Sequence, residues 1–325
     1  MRAAVQHRYG PAEEVFTVED VAVPSLKDDE VLVRVRAAGV NWADQSMATG
    51  KPYIMRIGYG LRRPRNGIRG TDVAGIVEKV GSGVNRHRPG DEVFGWCTSA
   101  FAEYVATHQD HLVAKPEQLT FEQAAGVPMA GCVAVQALRD IAEIEPGDKV
   151  LVNGASGGIG SFVVQIARSL GAEVTGVCST PNLELVRSLG ADHVIDYTTQ
   201  DFTEGHDRYD LIFDIADDHT LNQRRRVLTG HGTLIPNSGD GGPWIGSVGR
   251  IFKAWIVSPF VGQKLRPFLS VAKQDDLMAL CDLIEAGALE PIVGKTYRLD
   301  EAGVAISHAG SGHARGKVII AMGDG

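Results

Sequence analysis

The sequence predicts an α/β protein in two parts: an irregular β-rich domain, then a doubly wound, mostly parallel sheet that binds a nucleotide. Three observations lead there. Asp148 to Leu170 reads as an apolar strand, a glycine-rich turn and an apolar helix in immediate succession. After Pro116 strands alternate with helices, the pattern of a parallel sheet. Before Pro116 the chain shows short strands separated by turns, with few helical segments. At 325 residues it is long enough for two domains.

In the first part, Val31 to Val35 alternates apolar and charged residues, as a half-exposed strand does. Val73 to Val80 repeats the pattern and ends at a glycine turn. Pro89-Gly90-Asp91 turns the chain into a strand at Glu92 to Phe94, and Phe101 to Val105 continues the series. Thr120 and Gln123 form a capping-box pair at the start of a helix. A further helix is expected from Cys132 to Ile141.

Strand Lys149 to Asn153 then leads into the helix from Ile159 to Leu170. Strand Glu173 to Cys178 precedes a helix at Asn182 to Leu189, and a short strand follows at His193 to Ile195. Strand Leu211 to Ile215 leads to a helix near Leu221 to Leu228, and strand Gly232 to Pro236 follows. A strand near Leu265 to Val271 and a helix from Asp275 to Ala286, ended by Gly287, close this part. Strands at Lys295 to Leu299 and Lys317 to Ala321 return the chain to its first style. The expected division is 1–122 with 293–325 as one domain and 123–292 as the nucleotide-binding domain.

The turn Gly154 to Gly160 brings backbone N–H groups and a helix N-terminus to one place, which suits a pyrophosphate. Its glycine spacing departs from G-x-G-x-x-G, so an empty tight turn is the alternative. The second strand of the nucleotide domain ends at Ser179-Thr180, with no acid before Glu184. Hydroxyls can donate to a 2′-phosphate that a carboxylate would repel, which favours NADP(H); capping the next helix is their other use.

Net charge is −8 with both signs interspersed, so nucleic acid is not the expected partner. Arg62, Arg63 and Arg65 form one local basic cluster in a Gly/Pro-rich segment, read as a solvated loop. Four scattered cysteines, with no C-x-x-C, fit free thiols in a reducing compartment, and the cytoplasm is the expected location. Met1 to Gly10 lacks the apolar core of a secretory signal, and no stretch is long and apolar enough for a membrane span.

No H-E-x-x-H is present, so no metal is expected; no G-x-S-x-G elbow is present either. The paired acids Asp28-Asp29, Asp217-Asp218 and Asp275-Asp276 sit at polar turns or helix starts. Chemistry therefore falls to a nicotinamide, which needs positioning and a group to stabilise charge on the acceptor oxygen. The candidates are Asn41, Asp44 and Tyr53; a plain turn role for Asn41 stands beside the catalytic one.

Seven segments in order resemble the zinc-free quinone oxidoreductase branch of the medium-chain dehydrogenase/reductase superfamily. They are G-V-N-W-A-D at Gly39, R-G-T-D-V-A-G-I-V-E-K-V-G at Arg69, P-G-D-E-V-F-G at Pro89 and F-A-E-Y-V at Phe101. L-T-F-E-Q-A-A-G-V-P-M-A-G at Leu119 with the glycine turn, L-G-A-D-H-V-I-D-Y at Leu189, and G-H-A-R-G-K-V-I-I at Gly312 complete them. The resemblance implies a GroES-like β-rich catalytic domain built from both chain ends, and a Rossmann domain between. It implies a zinc-independent oxidoreductase passing a hydride from NADPH to a quinone or an α,β-unsaturated carbonyl. An enoyl-thioester reductase and a non-catalytic NADPH-binding or nucleic-acid-associated protein are the alternatives.

Carried over by position, Ser156, Gly157, Gly158 and Ile159 are expected at the pyrophosphate, Ser179 at the adenosine ribose and Tyr197 near the adenine. Asn237 and Ser238 are expected beside the nicotinamide, with His313, Ala314, Arg315 and Lys317 as the C-terminal cofactor contact. Pro181 stands where close family members often carry Arg. The zinc-dependent relatives carry Cys where Asn41 stands and His-Glu where Thr71-Asp72 stands. A homodimer is common in the family.

Overall fold

The computed structural model describes residues 1–216, 219–237 and 262–323. It divides by contact into two compact units: Met1–Cys132 with Ala272–Gly325, and Val133–Val271. Residues 123–132 and 272–292, assigned from sequence to the nucleotide-binding domain, therefore side with the first unit.

The first unit opens with β1 (Arg2–Gln6) and β2 (Phe16–Asp20), an antiparallel pair. Its main sheet uses β3 (Glu30–Val40), β4 (Asp72–Val80), β5 (Glu92–Trp96), β6 (Tyr104–His108) and β7 (Leu112–Ala114). The second unit supplies β8 (Lys149–Asn153), β9 (Glu173–Cys178), β10 (His193–Asp196), β11 (Tyr209–Asp214), β12 (Leu228–Pro236) and β13 (Lys264–Leu265). The chain then adds β14 (Val293–Arg298) and β15 (Lys317–Ala321) to the first unit.

The main sheet of the first unit runs β14-β15-β3-β4-β5-β7, with β6 also on β3. Both chain ends thus meet at the β15–β3 pairing. β3 is long because its core-facing valines, Val31, Val33 and Val35, pack with Val73, Val77 and Val93 in one cluster. Gly39 is required near its end: a Cβ there would lie 2.3 Å from the carbonyl of Ala125, on the helix Phe121–Ala125.

The register decides which polar residues meet. Gly39 pairs with Asp72 across β3 and β4, and Val40 pairs with Val318 across β3 and β15. Asn41, Thr71, Asp72 and Lys317 therefore gather where β3 ends and β4 and β15 begin.

In the second unit the order is β10-β9-β8-β11-β12-β13 and every pairing is parallel. The strands run outward from β8 in both directions, so the topological switch point lies between β8 and β11, where such sheets bind ligands at their carboxyl ends. Leu151, Val177, Ile212 and Leu234 form its core with Phe202 and Leu265.

Several boundaries differ from the sequence reading. The strand expected at Phe101 to Val105 is Tyr104–His108, and that near Leu265 to Val271 shortens to Lys264–Leu265. The helix expected from Cys132 runs as Pro128–Val135 and continues as a π-helical turn, Gln136–Ala142. Helices Trp42–Thr49 and Ala302–Gly310 were not legible: small and polar residues blur their apolar faces.

Candidate active site

Asn41 ends β3 and precedes the helix Trp42–Thr49. Its side chain is held on every polar atom. Nδ2 donates to Thr71 Oγ1 and to Asp72 Oδ2, both at 3.1 Å. Oδ1 accepts from Lys317 Nζ at 2.7 Å. The amide can face only one way: a carboxylate accepts and an ammonium donates, so reversing it would leave both contacts unmade.

Lys317 and Asp72 are buried, with side chains 5% and 0% exposed, and lie 3.5 Å apart. Burial pushes the Asp72 carboxyl upward, while the Lys317 charge and the Asn41 amide draw it back. The pair is where two apolar strands begin, and each charge makes the other tolerable in the interior.

Asp44 is buried on the first turn of the helix, and its Oδ2 accepts the backbone N–H of Asn41 at 2.8 Å. Burial pushes its carboxyl up to about 6, against backbone hydrogen bonds from Asn41 and Gly70. That placement makes Asp44 a helix-start acceptor. Arg69, also buried, donates from Nε to Gln6 Oε1 at 3.1 Å. The neighbouring Cys97 thiol is pushed up, first by burial and then by Asp72, so it stays a neutral thiol. Tyr53 lies on the turn Tyr53–Met55, where the Arg56 guanidinium covers its ring at 4.8 Å.

In the second unit, Ser156, Gly157, Gly158 and Ile159 form the turn between β8 and the helix Gly160–Ser169. That helix has no side-chain cap. Among the described residues no acceptor meets the N–H groups of Gly158, Ile159 or Gly160. Gly160 is required, since a Cβ there would sit 2.2 Å from the Gly154 carbonyl. Donors that meet no acceptor among the described residues, on a closely packed glycine turn, suit a pyrophosphate.

Ser179 follows β9, Tyr197 follows β10 and Asn237 follows β12, so the parallel sheet brings them to the same edge as the glycine turn. Ser179 Oγ accepts from Asn182 Nδ2 at 3.1 Å and keeps its own proton to donate. Thr180 is differently engaged: its hydroxyl donates to Asp196 Oδ2 at 2.6 Å. Asp196 ends the adjacent strand β10, opposite Cys178 in register. Asp196 thus holds the Thr180 hydroxyl from the neighbouring strand, a contact that reading along one strand could not reveal.

Ser238 lies outside the described residues. His313, Ala314, Arg315 and Lys317 belong to the first unit, on the approach to β15 and its first residue. Lys317 turns its ammonium onto Asn41 and Asp72. Thr71 and Asp72 entered the sequence reading only as positions of absent zinc ligands. A charged residue opening an apolar strand, D-V-A-G-I-V or K-V-I-I-A, was the signal for the buried pair.

Residues 27–117 match the model of the alcohol dehydrogenase GroES-like domain, and 189–320 match that of a zinc-binding dehydrogenase. The chain is 31% identical to the NADPH-dependent alkenal/one oxidoreductase of Arabidopsis thaliana chloroplasts, over 98% of this chain and 79% of that protein. It is 31% identical to a chloroplastic quinone-oxidoreductase homolog of Spinacia oleracea, over 98% of each. Among solved structures, the quinone oxidoreductase of Coxiella burnetii superposes with a TM-score of 0.86 at 28% identity, covering 99% of both chains.

The name of the second model raises zinc, and the residues do not fit it. Zinc takes thiolate, imidazole or carboxylate ligands. Here an amide and a hydroxyl stand beside the Asp72 carboxylate, and the Lys317 ammonium, 3.5 Å away, already supplies it with a positive charge. Among the described residues no group of three or more His, Cys, Asp or Glu could hold a metal ion.

Proposed function

The chain belongs to the medium-chain dehydrogenase/reductase superfamily, in its zinc-free quinone oxidoreductase branch, and on that premise we propose that it reduces a quinone or an α,β-unsaturated carbonyl with NADPH. The observation that carries this reading is the likeness, over 98% of this chain, to an NADPH-dependent alkenal/one oxidoreductase. The two units supply the parts it needs: a dinucleotide fingerprint at a parallel-sheet switch point, and a buried polar cluster built without metal ligands.

When bound, NADPH supplies the hydride. Ser156, Gly157, Gly158 and Ile159 would hold its pyrophosphate, and the Ser179 hydroxyl would donate to the 2′-phosphate. Tyr197 would lie by the adenine and Asn237 toward the nicotinamide. His313, Ala314 and Arg315 stay in the set on the strength of the resemblance. The Asn41 cluster would meet the acceptor oxygen, where charge develops.

Two finer parts of the reading are a homodimer and a cytoplasmic location. The scattered cysteines, none of them in a disulfide, support a reducing compartment. Among the described residues no helix is long and apolar enough to cross a membrane. Light scattering tests the first part, and fractionation of the native cells tests the second.

Steady-state assays with NADPH and, in turn, a quinone and an enone test the activity. Oxidation of NADPH with either acceptor is the expected result. Silence with both, beside turnover of a simple alcohol with NAD, would sink the proposal.

A further inference from the structure

Asn41 is the obvious donor for an acceptor oxygen, and the geometry rules it out. Its two N–H bonds go to Thr71 and Asp72, and its carbonyl oxygen accepts from Lys317. An amide so occupied has no proton left to offer.

The donor that is left is one bond further on. Thr71 Oγ1 accepts from Asn41, and among the described residues no group accepts the Thr71 hydroxyl proton. Thr71 is half-buried, whereas Asp72 and Lys317 are sealed in. It stands immediately before β4, and its carbonyl accepts the N–H of Cys97 at 2.8 Å, which fixes the backbone under the hydroxyl.

We propose that Thr71 is the catalytic residue that hydrogen-bonds the acceptor oxygen, with Asn41 and Lys317 as its positioning residues. The proposal rests on the reductase reading given above. The Lys317 charge polarises the Asn41 amide, and the Asn41 N–H polarises the Thr71 hydroxyl. Hydrogen bonds in such a chain strengthen one another, and the last member becomes the better donor. The acceptor takes both electrons of the hydride, negative charge arrives on its oxygen, and water supplies the balancing proton. Thr71 donates a hydrogen bond and keeps its own proton throughout. The buried cation thus acts on the oxygen through two side chains, where the zinc enzymes of the superfamily act through a metal.

The test is kcat of Thr71→Val and Thr71→Ser with NADPH, one enone and one quinone, beside NADPH affinity by fluorescence titration. Loss of one such donor lowers kcat by roughly 100-fold. We expect that loss in Thr71→Val with the enone, a smaller one with the more electrophilic quinone, and NADPH affinity within about twofold of wild type. Thr71→Ser should keep most of the rate. Thr71→Ala serves as the second hydroxyl-free variant if valine impairs folding. The proposal is overturned if both hydroxyl-free variants turn over like wild type. It is equally overturned if Thr71→Ser is as slow as Thr71→Val while NADPH still binds. A wild-type protein that reduces neither acceptor would instead remove the reductase reading, and this proposal with it.

Discussion

Replacing Lys317 with Met isolates the buried pair on which the cluster depends. At 3.5 Å, and with an effective dielectric of about 20, opposite unit charges attract by about 5 kcal/mol. Removing the cation leaves the Asp72 carboxylate alone in a fully buried site. The cost has a ceiling, because the carboxyl can take up a proton instead. From its ordinary 3.8, protonation at pH 7 costs about 4 kcal/mol. Lys317→Met should therefore lose at most about 4 kcal/mol at pH 7, or about 10 °C in the unfolding midpoint of a unit of this size, less the part that the raised Asp72 carboxyl already costs the wild type. The sign with pH follows from proton binding. Without Lys317 the folded Asp72 binds a proton that the unfolded chain has released above 3.8, so each rise in pH costs stability. The gap to wild type should close as pH falls toward 4. Lys317→Met with Asp72→Asn should regain more than half of the loss, giving an interaction term of about 3 kcal/mol in a double-mutant cycle. Thermal unfolding by circular dichroism from pH 4 to 7 measures all four proteins. A single-variant loss under about 1 kcal/mol, or one that does not change with pH, would refute the reasoning.

Asp44, pushed up to about 6, keeps its proton in the fold where the unfolded chain has lost it. Wild type should lose about 3 kcal/mol as pH rises from about 4 to 6, and Asp44→Asn should flatten that slope in the same unfolding series. Gly160→Ala puts a Cβ 2.2 Å from the Gly154 carbonyl, so the helix must shift off the turn. It should cost about 2 kcal/mol of stability and more than about tenfold in NADPH affinity by titration; unchanged affinity would unseat the pyrophosphate assignment. Pro181→Arg adds a cation beside Ser179 on the turn Thr180–Asn182. It should tighten NADPH by about tenfold and leave NADH unchanged, and equal effects on both would place the 2′-phosphate elsewhere.

The sequence by itself determined the architecture and the cofactor end. Alternation of strand and helix after Pro116, and glycines between an apolar strand and an apolar helix, are local patterns. Each follows from the backbone period or from a tight turn, so each can be read in order along the chain. The seven motifs added the family, which the likeness over 98% of this chain to an alkenal/one oxidoreductase and a quinone-oxidoreductase homolog bears out. Helix Trp42–Thr49 and the unit boundaries were not readable, because small residues and long-range contacts decide them.

Only the tertiary structure decided what the polar residues do. Asn41 and Lys317 are 276 positions apart and meet because β3 pairs with β15 in one register. A slip of one residue would send either side chain to the other face of the sheet. The same register turns both Asn41 N–H bonds onto Thr71 and Asp72, sets Lys317 beside Asp72, and leaves the Thr71 hydroxyl proton without an acceptor among the described residues. Asp196 reaches Thr180 by the same logic, across β9 and β10. Residue types state which hydrogen bonds are possible; strand pairing selects the ones that form, since a buried donor or acceptor must find its partner among whatever the register sets beside it.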